Sequence, residues 1–211
     1  MIESRCGILC SKCEYVQKMN CKGCLAIDKP FWGVCDVKLC CESREHDYCG
    51  QCLDFPCEVL NEYSYAGEPD GDDGKRIETC RKWAVAEINT FNPAKFIAAV
   101  AGQDADTLRN FFTPEAIIYW HDSNEQFTVA EYIRANCEYP DTWNGEVIHT
   151  AKNSIGMFIV SKIFSNDVTV FVTSILTLTN GKISRADEYY ADFNNDIPQW
   201  RKNMNIGKPI S

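Results

Sequence analysis

The sequence predicts an α+β protein in which a small cysteine-rich module precedes a domain of helices followed by a curled antiparallel sheet. Eleven of the 13 cysteines lie between Cys6 and Cys57, so the first quarter of the chain differs in kind from the rest. Apolar residues recur at helical spacing from Ile77 onward. Several later segments are rich in Val, Ile, Thr, Tyr and Phe, which is typical of strands. Helices followed by a run of strands favour the α+β class.

Composition predicts the domain boundaries. The module at 1–65 has no helical or strand period longer than a few residues, and a unit of this size needs metal or covalent cross-links to be stable. The segment at 66–89 is predicted to be a linker, which starts with an exposed stretch of acidic and turn-forming residues and continues as a connecting helix. The α+β domain then spans 90–203, and 204–211 form a tail.

Capping signals place the helices. The spacing of apolar residues predicts a helix over Ile77–Ile88. Asn92 and Pro93 provide an N-cap and a first-turn proline for the next helix. A short helix begins after Asp104 or Asp106.

Turn signals place the strands. A strand is predicted at about 116–122, and Thr128 with Glu131 forms a capping box for a helix that ends near Cys137. The dipeptides Asn166-Asp167 and Asn180-Gly181 mark tight turns, the second being a strong hairpin signal. The remaining strands are predicted at about 145–152, 156–165, 168–179 and 182–193.

The charge of the chain argues against two classes of partner. The net charge is −9 and the isoelectric point is about 4.9. Neither half has the surplus of Lys and Arg that binding to nucleic acid or to an anionic membrane requires. No apolar run approaches the ~18 residues of a membrane helix, and no export signal is visible. We therefore expect a cytoplasmic protein without nucleic-acid or membrane partners.

The spacing of the cysteines predicts a structural metal site. Cys10–Cys13, Cys21–Cys24 and Cys49–Cys52 are Cys-x-x-Cys pairs, and Cys35 with Cys40 forms a looser fourth pair. Two cysteines so spaced can bind one ion, and two such pairs complete the tetrahedral thiolate site that zinc prefers. We therefore expect zinc as cofactor, with two ions in the module.

Ten cysteines are candidate ligands, of which eight would fill two zinc sites: Cys6, Cys10, Cys13, Cys21, Cys24, Cys35, Cys40, Cys49, Cys52 and Cys57. Two alternatives stay open. Disulfides would need an oxidising compartment. An iron–sulfur cluster would use the spacing of the first three of these cysteines, which matches that of radical S-adenosylmethionine enzymes, although the βα alternation of those enzymes is missing.

Two stretches of the cysteine-rich module resemble the sequence pattern of a known family. Cys6-Gly-Ile-Leu-Cys-Ser-Lys-Cys13 matches the pattern CGxxCxxC, and Cys49-Gly-Gln-Cys-Leu-Asp-Phe-Pro-Cys57 matches CxxCxxFPC. Over about residues 4–63 the chain therefore resembles a bacterial and archaeal cysteine-rich domain of unknown function. The resemblance implies zinc binding and gives no activity.

The second half carries a different resemblance. The stretches Glu115-Ala-Ile-Ile-Tyr-Trp120, Glu188-Tyr-Tyr-Ala-Asp192 and Pro198-Gln-Trp-Arg201, in the order of elements described above, resemble the SnoaL-like branch of the nuclear transport factor two-like superfamily. The resemblance implies a cystatin-like cone, in which a curved sheet wraps three helices around a pocket. Members include isomerases, cyclases and ligand-binding proteins, so the function has to be argued from the site.

The resemblance to steroid isomerases fails at the reacting groups. Aligned without gaps, the chain has Trp120 where those members have a carboxylate base and Phe96 where they have a tyrosine donor, which removes proton chemistry. The side chains that could still form an acid/base pair, as in SnoaL-type cyclases, are His121, Asp122, His149, Glu188 and Asp192.

The predicted pocket is aromatic. On the first strand Trp120 and Asp122 share one face and His121 lies on the other. A cavity with aromatic walls and few polar groups suits an apolar or planar ligand. The predicted pocket residues are Phe96, Phe112, Trp120, Asp122, Tyr132, Trp143 and Tyr190.

These observations favour a zinc-containing protein that binds or senses a small molecule in its second domain. One alternative is an isomerase- or cyclase-type enzyme that acts in the same pocket, and another is a thiol- or metal-responsive switch. The predicted strand at 168–179 is apolar on both faces, at Val170, Phe171, Val172, Ile175, Leu176 and Leu178, so we also expect a homodimer through the outer face of the sheet.

The zinc hypothesis has a direct test. Protein purified under reducing conditions should contain zinc by elemental analysis, and chelation should unfold residues 1–60 while the second domain stays folded, because metal binding and folding are coupled in small metal-dependent modules. Circular dichroism with and without chelator measures this. Metal-free protein with sulfur atoms paired at ~2.05 Å would contradict it.

Overall fold

The computed structural model describes residues 1–30, 32–67, 70–153, 155–193, 197–204 and 206. The fold is α+β, as the sequence predicts: a curved six-stranded sheet packs against helices, and a smaller cysteine-rich module precedes it. Each part contributes its own cluster of buried apolar residues. No helix within the described ranges combines the length and apolar character that membrane crossing requires.

The cysteine-rich module contains short helices that the sequence did not predict. These are α1 (Glu14–Lys18), α2 (Asp36–Ser43) and α3 (Glu58–Ser64), with 3-10 turns at Cys10–Lys12 and Cys49–Gln51. Each α-helix starts with an acidic residue directly after an extended cysteine, and negative charge in the first turn complements the helix dipole. Helices of 5 to 8 residues are too short for an apolar period to reveal them.

The next helix, α4 (Lys75–Ile88), packs on the cysteine-rich module. Ile77, Cys80 and Ala84 lie on its buried face, as the helical spacing predicts, in one cluster with Val37. This helix therefore provides the module with the apolar surface that a 65-residue chain segment lacks.

The acidic loop before α4 is partly buried, where the sequence predicts an exposed linker. Asp72 accepts a hydrogen bond from Ser64 Oγ at 2.7 Å and forms an ion pair with Arg76 Nε at 2.8 Å. Arg76 is only 5% exposed, and a buried guanidinium needs such a carboxylate partner. The domain boundaries at 65 and 89 stay predictions.

Four further helices follow, and the predicted N-caps start three of them. Asn92 and Asp104 accept hydrogen bonds from backbone amides of the following turns, and Thr128 forms the capping box with Glu131. The helices are α5 (Pro93–Ala101), α6 (Ala105–Asn110), α7 (Val129–Cys137) and α8 (Gln199–Lys202).

The strands form one sheet in the order β2-β1-β6-β5-β4-β3, in which only the β1–β6 pair is parallel. The last four strands agree with the predicted ranges to within one residue, but β1 begins at Phe112 rather than near 116. A register shift between Phe112 and Ile117, in a segment that contains Pro114, hides this start from a periodicity argument. The strands are β1 (Phe112–Trp120), β2 (Glu125–Thr128), β3 (Asn144–Lys152), β4 (Gly156–Phe164), β5 (Thr169–Thr179) and β6 (Lys182–Asp192).

The two faces of β5 differ in burial. Leu176 packs in the core and Val172 is buried at the cavity, whereas Ile175 is half-buried on the outer face beside its partner Phe158 on β4. Phe158 and Tyr189 leave apolar surface exposed on that outer face. The homodimer through this face stays a prediction.

The β5–β6 hairpin contacts the cysteine-rich module. Asn180 at the hairpin turn accepts a hydrogen bond from Gln51 Nε2 at 3.2 Å and donates one to Asp47 at 3.0 Å. Tyr48 of the same module segment donates to Glu87 of α4 at 3.0 Å. The predicted hairpin turn thus also forms a polar contact between the two parts of the chain.

The contact of α4 with the module depends on Gly7. Gly7 has φ of +93°, and a Cβ there would lie 2.1 Å from Arg76 O and 2.8 Å from Cys80 Sγ. We expect Gly7→Ala to lower the free energy of unfolding by at least ~2 kcal/mol, because it combines backbone strain with a clash against α4. Urea unfolding measures this.

Gly33→Ala is the matched control. Gly33 also has positive φ, +117°, but nothing lies within 4 Å of a Cβ there, so only the strain of about 1 kcal/mol applies. Equal losses in the two variants would contradict the proposed packing of α4 on Gly7.

Candidate functional site

A cavity of about 390 Å³ lies between α5, α7 and the concave face of the sheet. Six of the seven predicted pocket residues line it: Phe96, Trp120, Asp122, Tyr132, Trp143 and Tyr190. The seventh, Phe112, lies behind the wall, where its ring contacts Phe96 and Tyr132 in the core.

The floor of the cavity is a buried carboxylate. Glu188 is 2% exposed and accepts four hydrogen bonds. Its Oε2 receives them from Trp120 Nε1 at 2.9 Å and Tyr190 OH at 3.1 Å. Its Oε1 receives them from Ser174 Oγ at 2.9 Å and Tyr132 OH at 3.4 Å. The sequence therefore brings together one acid and four donors from three strands and one helix.

Burial dominates the electrostatics of this floor. Desolvation raises the pKa of the Glu188 carboxyl above its usual range, while the four hydrogen bonds act in the opposite direction. Burial and the nearby Glu188 charge also raise the pKa values of Tyr132 and Tyr190 well above that of a free phenol. Both tyrosines consequently remain protonated donors over the physiological pH range.

The aromatic walls present ring faces in several directions. Trp120 lies 5.3 Å from Tyr190 and 6.0 Å from Tyr132, measured between ring centroids, with interplanar angles of 68° and 71°. Tyr139 and Trp143 form a second tilted pair at 5.6 Å. Tilted rings around one space enclose a ligand on several sides.

The candidate acids occupy different depths of this cavity. Glu188 lies at its floor, whereas Asp122 and Asp192 line it and are exposed. The alternation of β6 places Glu188, Tyr190 and Asp192 on the inner face, and Ser174 on β5 faces Glu188.

The candidate histidines lie outside the cavity. His121 points to the outer face, as the strand alternation predicts, where it contacts Asp187 at 2.8 Å and stacks on Tyr189 at 4.5 Å. His149 is exposed on β3, beside a register shift, and does not line the cavity. Neither histidine can form an acid/base pair with Glu188 in this structure.

Sequence reasoning missed Ser174. It is fully buried in the middle of β5, on the same face as Val172 and Leu176. A serine on the otherwise apolar inward face of this strand needs a hydrogen-bond partner, and that partner is Glu188. The polar residue at a core position was the available signal.

The module thiols form neighbouring groups. Burial, together with the adjacent Cys6 and Cys10 thiolates, raises the pKa of Cys24 to about 11. Burial and the charges of Cys13 and Cys21 raise the pKa of Cys10 as well. The first two Cys-x-x-Cys pairs thus lie close enough to influence each other.

A second group surrounds α2. Burial raises the pKa of Cys40, and the charges of Cys57, Cys41 and Cys52 act in the same direction. Arg44 donates to Cys52 Sγ at 3.2 Å, but Cys52 is only 8% exposed. The exposed thiol beside a cation that a redox switch requires is therefore not found at this position.

Cys41 is absent from the predicted ligand set, yet it lies in the centre of the module. Its Sγ is 3.4 Å from Cys49 Sγ, and the hydrogen bond from Cys49 lowers the pKa of Cys41. Cys80 of α4 is fully buried near Gly7 and Gly50. The contact of Cys41 with Cys49 joins two residues eight positions apart, which the Cys-x-x-Cys spacing does not reveal.

The donors have the chemistry of a zinc site, since thiolates are the ligands that closed zinc sites prefer. Their arrangement does not itself form one: within the described part of the chain, no three His, Cys, Asp or Glu side chains are placed so that they could hold a metal ion. Zinc binding by the ten predicted cysteines therefore stays a prediction.

One protein family matches the first part of the chain. A family model described as a protein of unknown function (DUF3795) matches residues 2–62. No curated protein matches the chain.

Solved structures are similar to the second part. A candidate ketosteroid isomerase from Kribbella flavida is 17% identical, with a TM-score of 0.49 over 61% of this chain and 91% of its own. A nuclear transport factor two-like protein of unknown function from Burkholderia xenovorans is 20% identical, with a TM-score of 0.48 over 62% and 98%. A candidate polyketide cyclase from Sinorhizobium meliloti is 18% identical, with a TM-score of 0.37 over 44% and 89%. These likenesses concern the fold alone.

The raised pKa of Glu188 predicts a pH-dependent stability. The Glu188 carboxyl keeps its proton to a higher pH in the folded protein than in the unfolded chain, where glutamates have a pKa of about 4.3. The contribution of Glu188 to the free energy of unfolding is therefore fully present below about pH 4, and it is lost as the pH rises through the pKa of this group in the folded protein. Relative to Glu188→Gln, the wild type should lose stability as the pH rises from about 4 through the folded pKa of Glu188, as measured by urea unfolding.

Glu115→Gln provides the control, because Glu115 lies exposed on β1 and outside the cavity. Its stability difference from the wild type should change little over this range. A wild type that gains stability over Glu188→Gln as the pH rises would show that the hydrogen bonds outweigh burial.

Proposed function

We propose that the cone cavity binds a small organic molecule and that this is the main activity of the chain. The observation that carries the proposal is a 390 Å³ space with aromatic walls and one buried carboxylate at its floor. Ligand sites are concave, largely apolar and provided with a few placed polar groups. Burial of an apolar or planar ligand against walls of this kind contributes favourably to the free energy of binding.

The cysteine-rich module serves, in this proposal, as a zinc-stabilised structural or interaction part. Its support is the density of thiols and their grouping around the Cys-x-x-Cys turns. A thiol-responsive switch is the weaker hypothesis, because the thiol beside Arg44 is buried.

Acid/base catalysis in the same cavity is the second candidate. Glu188 is buried, has a raised pKa and lies beside two protonated tyrosines, a combination that is typical of catalytic carboxylates. Its four hydrogen bonds favour the binding hypothesis, because they direct all of its acceptor sites at donors of the protein and none at a bound substrate. A panel of ketosteroid and polyketide-like substrates tests this: turnover by the wild type that Glu188→Gln abolishes would favour the enzyme.

The binding proposal is tested by filling the cavity. Ala135 lines the cavity from α7, whereas Ala130 is exposed at the start of the same helix and does not line it. We expect the neutral naphthalene dye Prodan to bind the wild type with a blue-shifted emission. Ala135→Trp should weaken this binding at least about tenfold because the indole occupies the site, and Ala130→Trp should not.

Fluorescence titration measures the affinity of all three proteins. Equal binding to wild type and Ala135→Trp would place the dye elsewhere and contradict the cavity as the ligand site.

A further inference from the structure

We propose that the ligand of this cavity is an organic ammonium ion, quaternary or protonated. The inference rests on the proposed binding function and adds the chemical class of the ligand. It comes from two independent features of the cavity, its charge and the arrangement of its rings.

All the charged side chains that line the cavity have one sign. They are the carboxylates of Asp122, Glu125, Glu188 and Asp192, and the described lining residues include no lysine, arginine or histidine. Within the described part of the chain, none of the four forms an ion pair. As far as the described residues go, the cavity is therefore an acidic space without a counter-ion, and it disfavours anionic ligands.

The depth of Glu188 gives this charge its weight. Exposed carboxylates are screened by water and salt, but Glu188 is 2% exposed, so its charge acts through a medium of lower dielectric constant. A cation placed above it would neutralise a charge that the fold otherwise leaves buried and unpaired.

The rings provide the second feature. Trp120, Tyr132 and Tyr190 direct their polar atoms to Glu188, and the indole plane of Trp120 is tilted by 71° to the ring of Tyr132 and by 68° to that of Tyr190. Aromatic faces attract an ammonium group through their quadrupole, and indole does so best. Rings grouped around a carboxylate thus favour a positive charge on an apolar group.

A metal ion fits this space less well than an ammonium ion. Hard cations require several oxygen ligands within about 2.6 Å. At the floor, Glu188 is the single carboxylate, its lone pairs are already occupied by four donors, and the walls around it are aromatic. An organic cation needs only charge and ring contact, which this site provides.

Matched pairs of probes test the inference. Acetylcholine and benzyltrimethylammonium are compared with their neutral isosteres, 3,3-dimethylbutyl acetate and neopentylbenzene, by ligand-observed NMR titration. The proteins are wild type, Glu188→Gln and the exposed control Glu115→Gln. We expect the wild type to bind each cation at least about tenfold more tightly than its isostere. Glu188→Gln should reduce this ratio to about threefold or less, and Glu115→Gln should retain it.

Each outcome decides between the two proposals. Equal affinities for cation and isostere in the wild type, with binding abolished by Ala135→Trp, would overturn the ammonium inference and leave the binding function standing. A preference that persists in Glu188→Gln would overturn the role of Glu188. If neither the probes nor Prodan bind, both proposals fail. Should Glu188→Gln not fold, the wild-type comparison still decides whether the cavity selects cations.

Discussion

The carboxylate of Glu188 links the elements on which the shape of the second domain depends. It lies on β6 and takes hydrogen bonds from β1 through Trp120, from α7 through Tyr132 and from β5 through Ser174. A buried carboxylate that loses its partners costs several kcal/mol, so each donor is held close to its observed position. This one group therefore connects β1, β5 and α7 to β6 at the concave face of the sheet.

The cysteine-rich module is subject to a different constraint, which is its size. Its own helices are too short to bury a core, so it uses the apolar face of α4, where Cys80 and Ile77 are buried. Gly7 permits this approach because a side chain there would meet the backbone of α4. The polar contact of Asn180 with Gln51 then connects the module to the β5–β6 hairpin. A helix expected to be a mere connection is thus part of the module's core.

Local signals in the sequence were enough to predict most of the second domain. Caps such as Asn92 and Thr128 act within one turn of chain, and the Asn180-Gly181 turn needs only its own dihedral angles, so these elements were found. The short helices of the module were missed because they span too few residues to show an apolar period, and the start of β1 was missed because a register shift interrupts the strand. The role of Glu188 also required tertiary information, since three of its four donors lie 14 to 68 residues away along the chain. Strand alternation could assign its face but not its burial.

The hydrogen bonds of Glu188 also determine what the cavity offers to a ligand. A carboxylate has about four lone-pair sites, and Trp120, Tyr132, Ser174 and Tyr190 occupy four. These donors are in turn unavailable to a ligand, since an indole N–H and each hydroxyl have one proton to give. What remains at the floor is negative charge and the faces of the rings. Such a surface recognises a ligand by charge and shape rather than by directed hydrogen bonds, which is why binding is the better interpretation than proton transfer.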